Sequence, residues 1–103
     1  AGARQILDLF ARDRQRVEGL GRAAGSPLRL HQLLQKQPLL TIRRAAQQLG
    51  VSLPTVATAL ARLEELGIVR EVTGRPRDRL FTYQEYLEII SQGDEPLHGN
   101  SGG

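Results

Sequence analysis

Two groups of side chains in this 103-residue sequence have the types and spacing for chemistry on a polyanion. The first is Ser52, Thr55, Thr58 and Arg62, which at about 100° per residue fall towards one side of a helix and present hydroxyls and a guanidinium to water. The second is Arg75, Arg77 and Arg79, set around Asp78 in the turn-rich stretch TGRPRDR. Such groups bond phosphate oxygens and base edges, and Arg62 has the fork that matches O6 and N7 of guanine. They contain no acid and base pair of the kind that bond cleavage or group transfer requires.

Other chemistry finds no support. His31 has no carboxylate, cysteine or second histidine near it in sequence, so it reads as a surface or hydrogen-bonded histidine and not as a metal ligand. With no cysteine there is neither a disulfide framework nor a thiolate site. The terminal GNSGG has the letters of a serine-protease nucleophile loop but no histidine and aspartate to support it. Phosphate-binding, dinucleotide and zinc patterns are missing too, so no cofactor and no catalytic residue is expected.

The elements that must position the first group run from Thr41 to Gly67. Thr41 caps a helix whose Ile42, Ala45, Ala46 and Leu49 form a buried stripe, with Arg43 and Arg44 on the far side flanking a DNA backbone. Gly50-Val51-Ser52 is the turn. Ser52 caps a second helix with Pro54 in its first turn, where a missing N–H costs nothing. Val56, Leu60 and Leu63 turn inward with Ala59 at their edge, while Thr55, Thr58, Ala61, Arg62 and Glu65 face out. Two helices joined by a short glycine turn are the unit whose second helix enters a DNA major groove, its first turn holding a phosphate beside Ser52.

After Gly67 the period changes from helical to alternating. Residues 68–72 and 80–83 read as strands around the arginine-bearing turn, so Arg75, Arg77 and Arg79 sit on a wing. Gln84 to Gln92 reads as a helix with Tyr86, Ile89 and Ile90 inward, stopped by Gly93. Upstream, residues 3–24 read as one long helix with Ile6, Leu9, Phe10, Val17 and Leu20 in a stripe. Asp13 interrupts that stripe, so either the stripe is only partly buried or an arginine reaches the carboxylate. Ser26-Pro27 opens a further helix ending at Pro38, with Leu30, Leu33 and Leu34 inward, and Leu39-Leu40 pairs as a short strand.

The expected fold is therefore mainly α with a small β-hairpin, a winged helix-turn-helix preceded by a long N-terminal helix. Residues 1–25 form a linker or packing helix, 26–92 the winged domain, and the glycine-rich, acidic 93–103 a disordered tail. All 14 Arg and Lys precede residue 84, and the last twenty residues carry four acids and no base, for a net charge of +3. A basic body suits a polyanion, and double-stranded DNA is the favoured partner. No apolar run spans a membrane and no signal sequence opens the chain, which points to the cytosol. A start without methionine suggests an excised fragment, and arginine in place of lysine suits a GC-rich bacterial genome.

The run PLLTIRRAAQQLGVSLPTVATAL, followed by LARLEELGIVREVTGRPRDRLFTYQEYLEII, resembles the C-terminal winged-helix domain of bacterial Fic (Fic/DOC) proteins. Residues 66–75 and the stretch from Arg79 to Leu87 carry most of the likeness, which covers about residues 27–91. Residues 3–24 look like the helical segment that joins this domain to the catalytic one. Fic proteins transfer AMP or a related group to a protein hydroxyl through a loop of the form His-Pro-Phe-x-Asp/Glu-Gly-Asn-Gly-Arg. This sequence has no such loop, and His98-Gly99-Asn100 lacks its proline, acid and final arginine. The resemblance implies a non-catalytic accessory module with a transcription-regulatory role on DNA. The alternative is a protein-interaction module, meeting a Fic catalytic domain, its target or a second copy through Ile6, Leu9, Phe10, Val17 and Leu20.

Overall fold

The computed structural model describes residues 2–72 and 79–94, the side chains of 93 and 94 excepted. Helix α1 (Ala3–Glu18) leads into a 3-10 helix (Gly21–Ala24) and then α2 (Gly25–Lys36). A short strand β1 (Leu39–Thr41) precedes α3 (Ile42–Leu49) and α4 (Leu53–Glu65), followed by β2 (Arg70–Glu71), β3 (Leu80–Thr82) and α5 (Gln84–Asp94). The strands form an antiparallel sheet in the order β1-β3-β2, pairing Leu40 with Phe81 and Glu71 with Phe81. This is a winged helix, helical in the main with a small sheet at one side.

Local chemistry explains the helix-turn-helix. The Arg44 N–H donates to Thr41 Oγ1 at 3.1 Å, satisfying a first-turn donor that has no partner inside α3. At the other end Gly50 lies at φ 69°, a left-handed conformation that costs a residue with a Cβ about 1–2 kcal/mol, and its N–H returns to the Ala46 carbonyl at 2.9 Å. Ser52 then caps α4 by accepting from Thr55 N–H at 3.3 Å. Val56, Ala59, Leu60 and Leu63 of α4 are buried, so Ala59 lies inside the core and not at its edge. At the end of α4 the Gly67 N–H bonds the Glu64 carbonyl and the Ile68 N–H that of Leu63, both at 2.9 Å, closing the last turn.

The long leading helix is shorter than its periodicity suggests. It ends at Glu18, because Gly21 at φ 66° turns the chain out of the α-helical direction into the 3-10 helix. Its stripe is consumed by the chain's own core: Leu9 and Val17 are buried, and Ile6, Phe10 and Leu20 pack against the same cluster. A second chain therefore cannot be met through that whole stripe without opening the domain.

The hairpin and last helix also depart from expectation. Ile68 and Val69 are buried and lie outside the ladder, so β2 keeps only Arg70 and Glu71, with a further bond from Val72 N–H to the Leu80 carbonyl at 2.9 Å. Tyr83 follows β3 and donates its N–H to the Pro38 carbonyl at 2.8 Å. Helix α5 continues through Gly93 to Asp94, and Ile90 faces solvent while Ile89 fills the core. The hairpin tip, with Arg75 and Arg77, and the tail from 95 lie outside the described residues.

Candidate nucleic-acid interface

Helix α4 presents Pro54, Thr58 and Arg62 to solvent, with Thr55 half-buried beside them. The two hydroxyls at its start are engaged with each other, Ser52 Oγ lying 2.9 Å from Thr55 Oγ1, which fixes the first turn as one polar step. Arg43 and Arg44 are exposed on α3. No ion pair or side-chain hydrogen bond to a described residue holds Arg22, Arg43, Arg44 or Arg62, so these guanidiniums are available to an external anion. The helix-turn-helix is locked behind them: Arg29 of α2 donates Nη2 to the Leu49 carbonyl at 2.7 Å, and Gln37 donates to Gln48 at 2.9 Å.

Arg79 has partners within the hairpin. Its Nη2 donates to Glu71 Oε1 at 3.1 Å across the hairpin, and its guanidinium carbon sits 5.2 Å from the Phe81 ring centroid. A carboxylate and an aromatic face hold it at the base of the wing. Arg79 therefore stiffens the hairpin, while Arg75 and Arg77 remain sequence expectations outside the described residues.

A groove of about 550 Å³ runs along one side of α4. Its walls are Pro54, Thr55, Thr58, Ala59 and Arg62 on α4, and Arg22, Ala23, Gly25, Ser26 and Pro27 at the junction of the 3-10 helix with α2. Nothing in the helix-turn-helix pattern points to Arg22, which stands some forty residues before Arg62 and outside any periodic stripe. Gly21 before it and Gly25 after it are the turn signals of that stretch.

A second polar constellation lies inside the fold. Asp13, 1% exposed, accepts at Oδ2 from Tyr83 OH at 2.7 Å and at Oδ1 from Arg12 at 2.9 Å and Arg16 at 3.2 Å. The carboxylate in the stripe is thus both buried and paired. Since the Tyr83 proton points at Asp13, His31 Nε2, 3.0 Å from the same hydroxyl, must donate to it, which leaves Nδ1 to accept from Gln35 at 3.4 Å. Burial holds His31 below its ordinary pKa, opposed by the Asp13 charge and assisted by Arg14. Burial, and then the bond to Asp13, hold the Tyr83 hydroxyl above its ordinary range, so it stays a donor. Arg12 also donates to Glu85 at 2.8 Å, and the bonds to Glu85 and Asp13 keep it protonated.

This chain of groups ties α1 to α2, β3 and α5, and its His31 end lines a pocket of about 300 Å³ with Arg14, Gln32 and Gln35. Phe10 screens it, with ring centroids 5.9 Å from Tyr83 and 4.9 Å from Tyr86. Among the described residues no group of three or more His, Cys, Asp or Glu is placed to hold a metal, and no helix is long and apolar enough to cross a membrane.

The fold and exposed face define a winged helix-turn-helix. Residues 26–70 are similar to a protein family described as winged helix-turn-helix DNA-binding, a stretch running from the start of α2 into β2. No curated protein and no solved structure matches the chain.

Proposed function

We propose that this chain is a DNA-binding module that lays α4 in the major groove. The observation that carries it is the exposed face of α4, where Thr58 and Arg62 stand without described partners on a helix capped and braced from behind. The similarity of residues 26–70 to DNA-binding winged helices supports the same use. Thr55, Thr58 and Arg62 approach base edges, Ser52 and Pro54 lie at the end of α4 nearest a phosphate, and Arg43 and Arg44 follow the backbone. Arg75 and Arg77 carry the wing to the adjacent groove, with Arg79 bracing its base.

The likeness of residues 27–91 to the domain that follows Fic catalytic domains supports the finer reading of an accessory, transcription-regulatory module of an AMP-transferring protein. Residues 1–25 then form the helical connection.

The test is fluorescence anisotropy with a pool of random-sequence duplexes at low and moderate salt. Dissociation constants of about 10⁻⁴ to 10⁻⁶ M that weaken with salt are expected, as for non-specific association. Arg62→Ala should weaken binding, and the triple change Arg75/Arg77/Arg79→Ala should weaken it further. A folded protein that binds no duplex at low salt would refute the proposal and leave a protein-docking module.

A further inference from the structure

We propose that the groove between α4 and the start of α2 holds the DNA sugar-phosphate strand that borders the major groove entered by α4, with Arg22 as its anchor. This rests on the DNA-binding reading and extends it to a part of the chain outside the helix-turn-helix.

Position and charge carry the argument. One wall of the groove is the face of α4 assigned to base edges, so whatever lies alongside α4 in a duplex runs past the other wall. That wall offers Arg22, exposed and without an ion pair or hydrogen bond to any described residue, opposite Arg62 in the same state. Among the described residues no carboxylate lines the space. Two unpaired guanidiniums lining one open channel favour an anion within it, and phosphate accepts guanidinium bonds in a matching geometry. The channel is open and continuous with the base-reading face, which suits a polymer strand passing through it.

The backbone of the wall leaves room for that strand. Gly21, at φ 66°, makes the corner that carries Arg22. Gly25 stands in the groove with ordinary helical angles, φ −53° and ψ −64°, and a Cβ built on it meets nothing within 4 Å. A larger side chain at Gly25 therefore fits the fold at the edge of the channel, within reach of it.

Two variants separate the outcomes. Arg22→Ala removes the anchor from an exposed site, and Gly25→Glu sets a carboxylate in the channel; thermal melts of both should match or exceed that of the wild type. In the duplex anisotropy assay, Arg22→Ala should weaken binding ~5- to 10-fold at low salt and flatten the slope of log K against log salt by about 1, equally for all duplexes, as the loss of one phosphate contact does. Gly25→Glu should weaken binding at least as much. Wild-type binding that both variants retain in full would overturn the groove assignment and leave the DNA-binding reading standing. Loss in Gly25→Glu with none in Arg22→Ala would overturn Arg22 as the anchor. A wild type that binds inorganic pyrophosphate but no duplex would overturn both, and mark the groove as a site for a small anion.

Discussion

Replacing Tyr83 by Phe removes one oxygen atom and tests whether the buried polar chain holds the domain together. The hydroxyl donates to Asp13 Oδ2 at 2.7 Å and accepts from His31 Nε2 at 3.0 Å, and all three residues are almost wholly buried. Its loss deletes a hydrogen bond to a charged acceptor, about 1.5–3 kcal/mol, and leaves the His31 donor without a partner, about 1–3 kcal/mol more. Arg12 and Arg16 still neutralise Asp13 through Oδ1, so the total belongs near the low end, about 3 kcal/mol. For a domain of this size that lowers Tm by about 15 °C. Urea unfolding followed by circular dichroism measures it, beside Asp13→Asn and the double variant. The single losses should not add, because both substitutions weaken the same bond. A loss below about 1 kcal/mol, or strict additivity, would show that water replaces the hydroxyl and that the chain does not work as a unit.

The remaining expectations follow from particular side chains. His31 sits below its ordinary pKa of 6.5, so between that value and its lowered one the unfolded chain binds the proton that the folded chain refuses. Stability is therefore level above about pH 6.5 and falls as the pH drops below it, by at most about 1.4 kcal/mol per pH unit, and the dependence should flatten in His31→Gln; urea midpoints from pH 7.5 to 5.5 test this. Leu60→Asp puts a charge in a fully buried site and should abolish the cooperative thermal melt. Gly50→Ala should cost about 1–2 kcal/mol in urea unfolding, since the left-handed φ of 69° persists while open space around the new Cβ excludes a clash.

What could be read from the sequence was what neighbours in the chain decide. The caps at Thr41 and Ser52, the turn at Gly50 and the inward faces of α3 and α4 depend on residues three or four apart, and the structure has them as expected but for Ala59, which is buried, and Ile42 and Leu49, which are half-buried. Elements set by distant partners were read less well. The short β2 reflects the demand of the core for Ile68 and Val69, which a β-branched run alone does not reveal. The stripe of α1 resembled a docking surface because its complement comes from α2, α5 and Tyr83. Asp13 looked like a flaw in that stripe; its reason is Tyr83, seventy residues away. Arg22 and Arg62 share a groove only because α2 packs across α4, and no local pattern encodes that crossing.

Helix α1 carries its fastenings on one short stretch. Arg12 grips Glu85 of α5, Asp13 holds Tyr83 at the end of β3, and Arg16 donates Nη2 to the Leu66 carbonyl at the end of α4. Those three anchor points belong to the last helix, the base of the wing and the helix assigned to the major groove. A torque applied to the start of α1 thus has little slack to take up before it reaches both elements proposed to meet DNA. Mechanically, α1 is a handle: a body attached ahead of it would steer the pitch of α4 and the wing together, without contacting either.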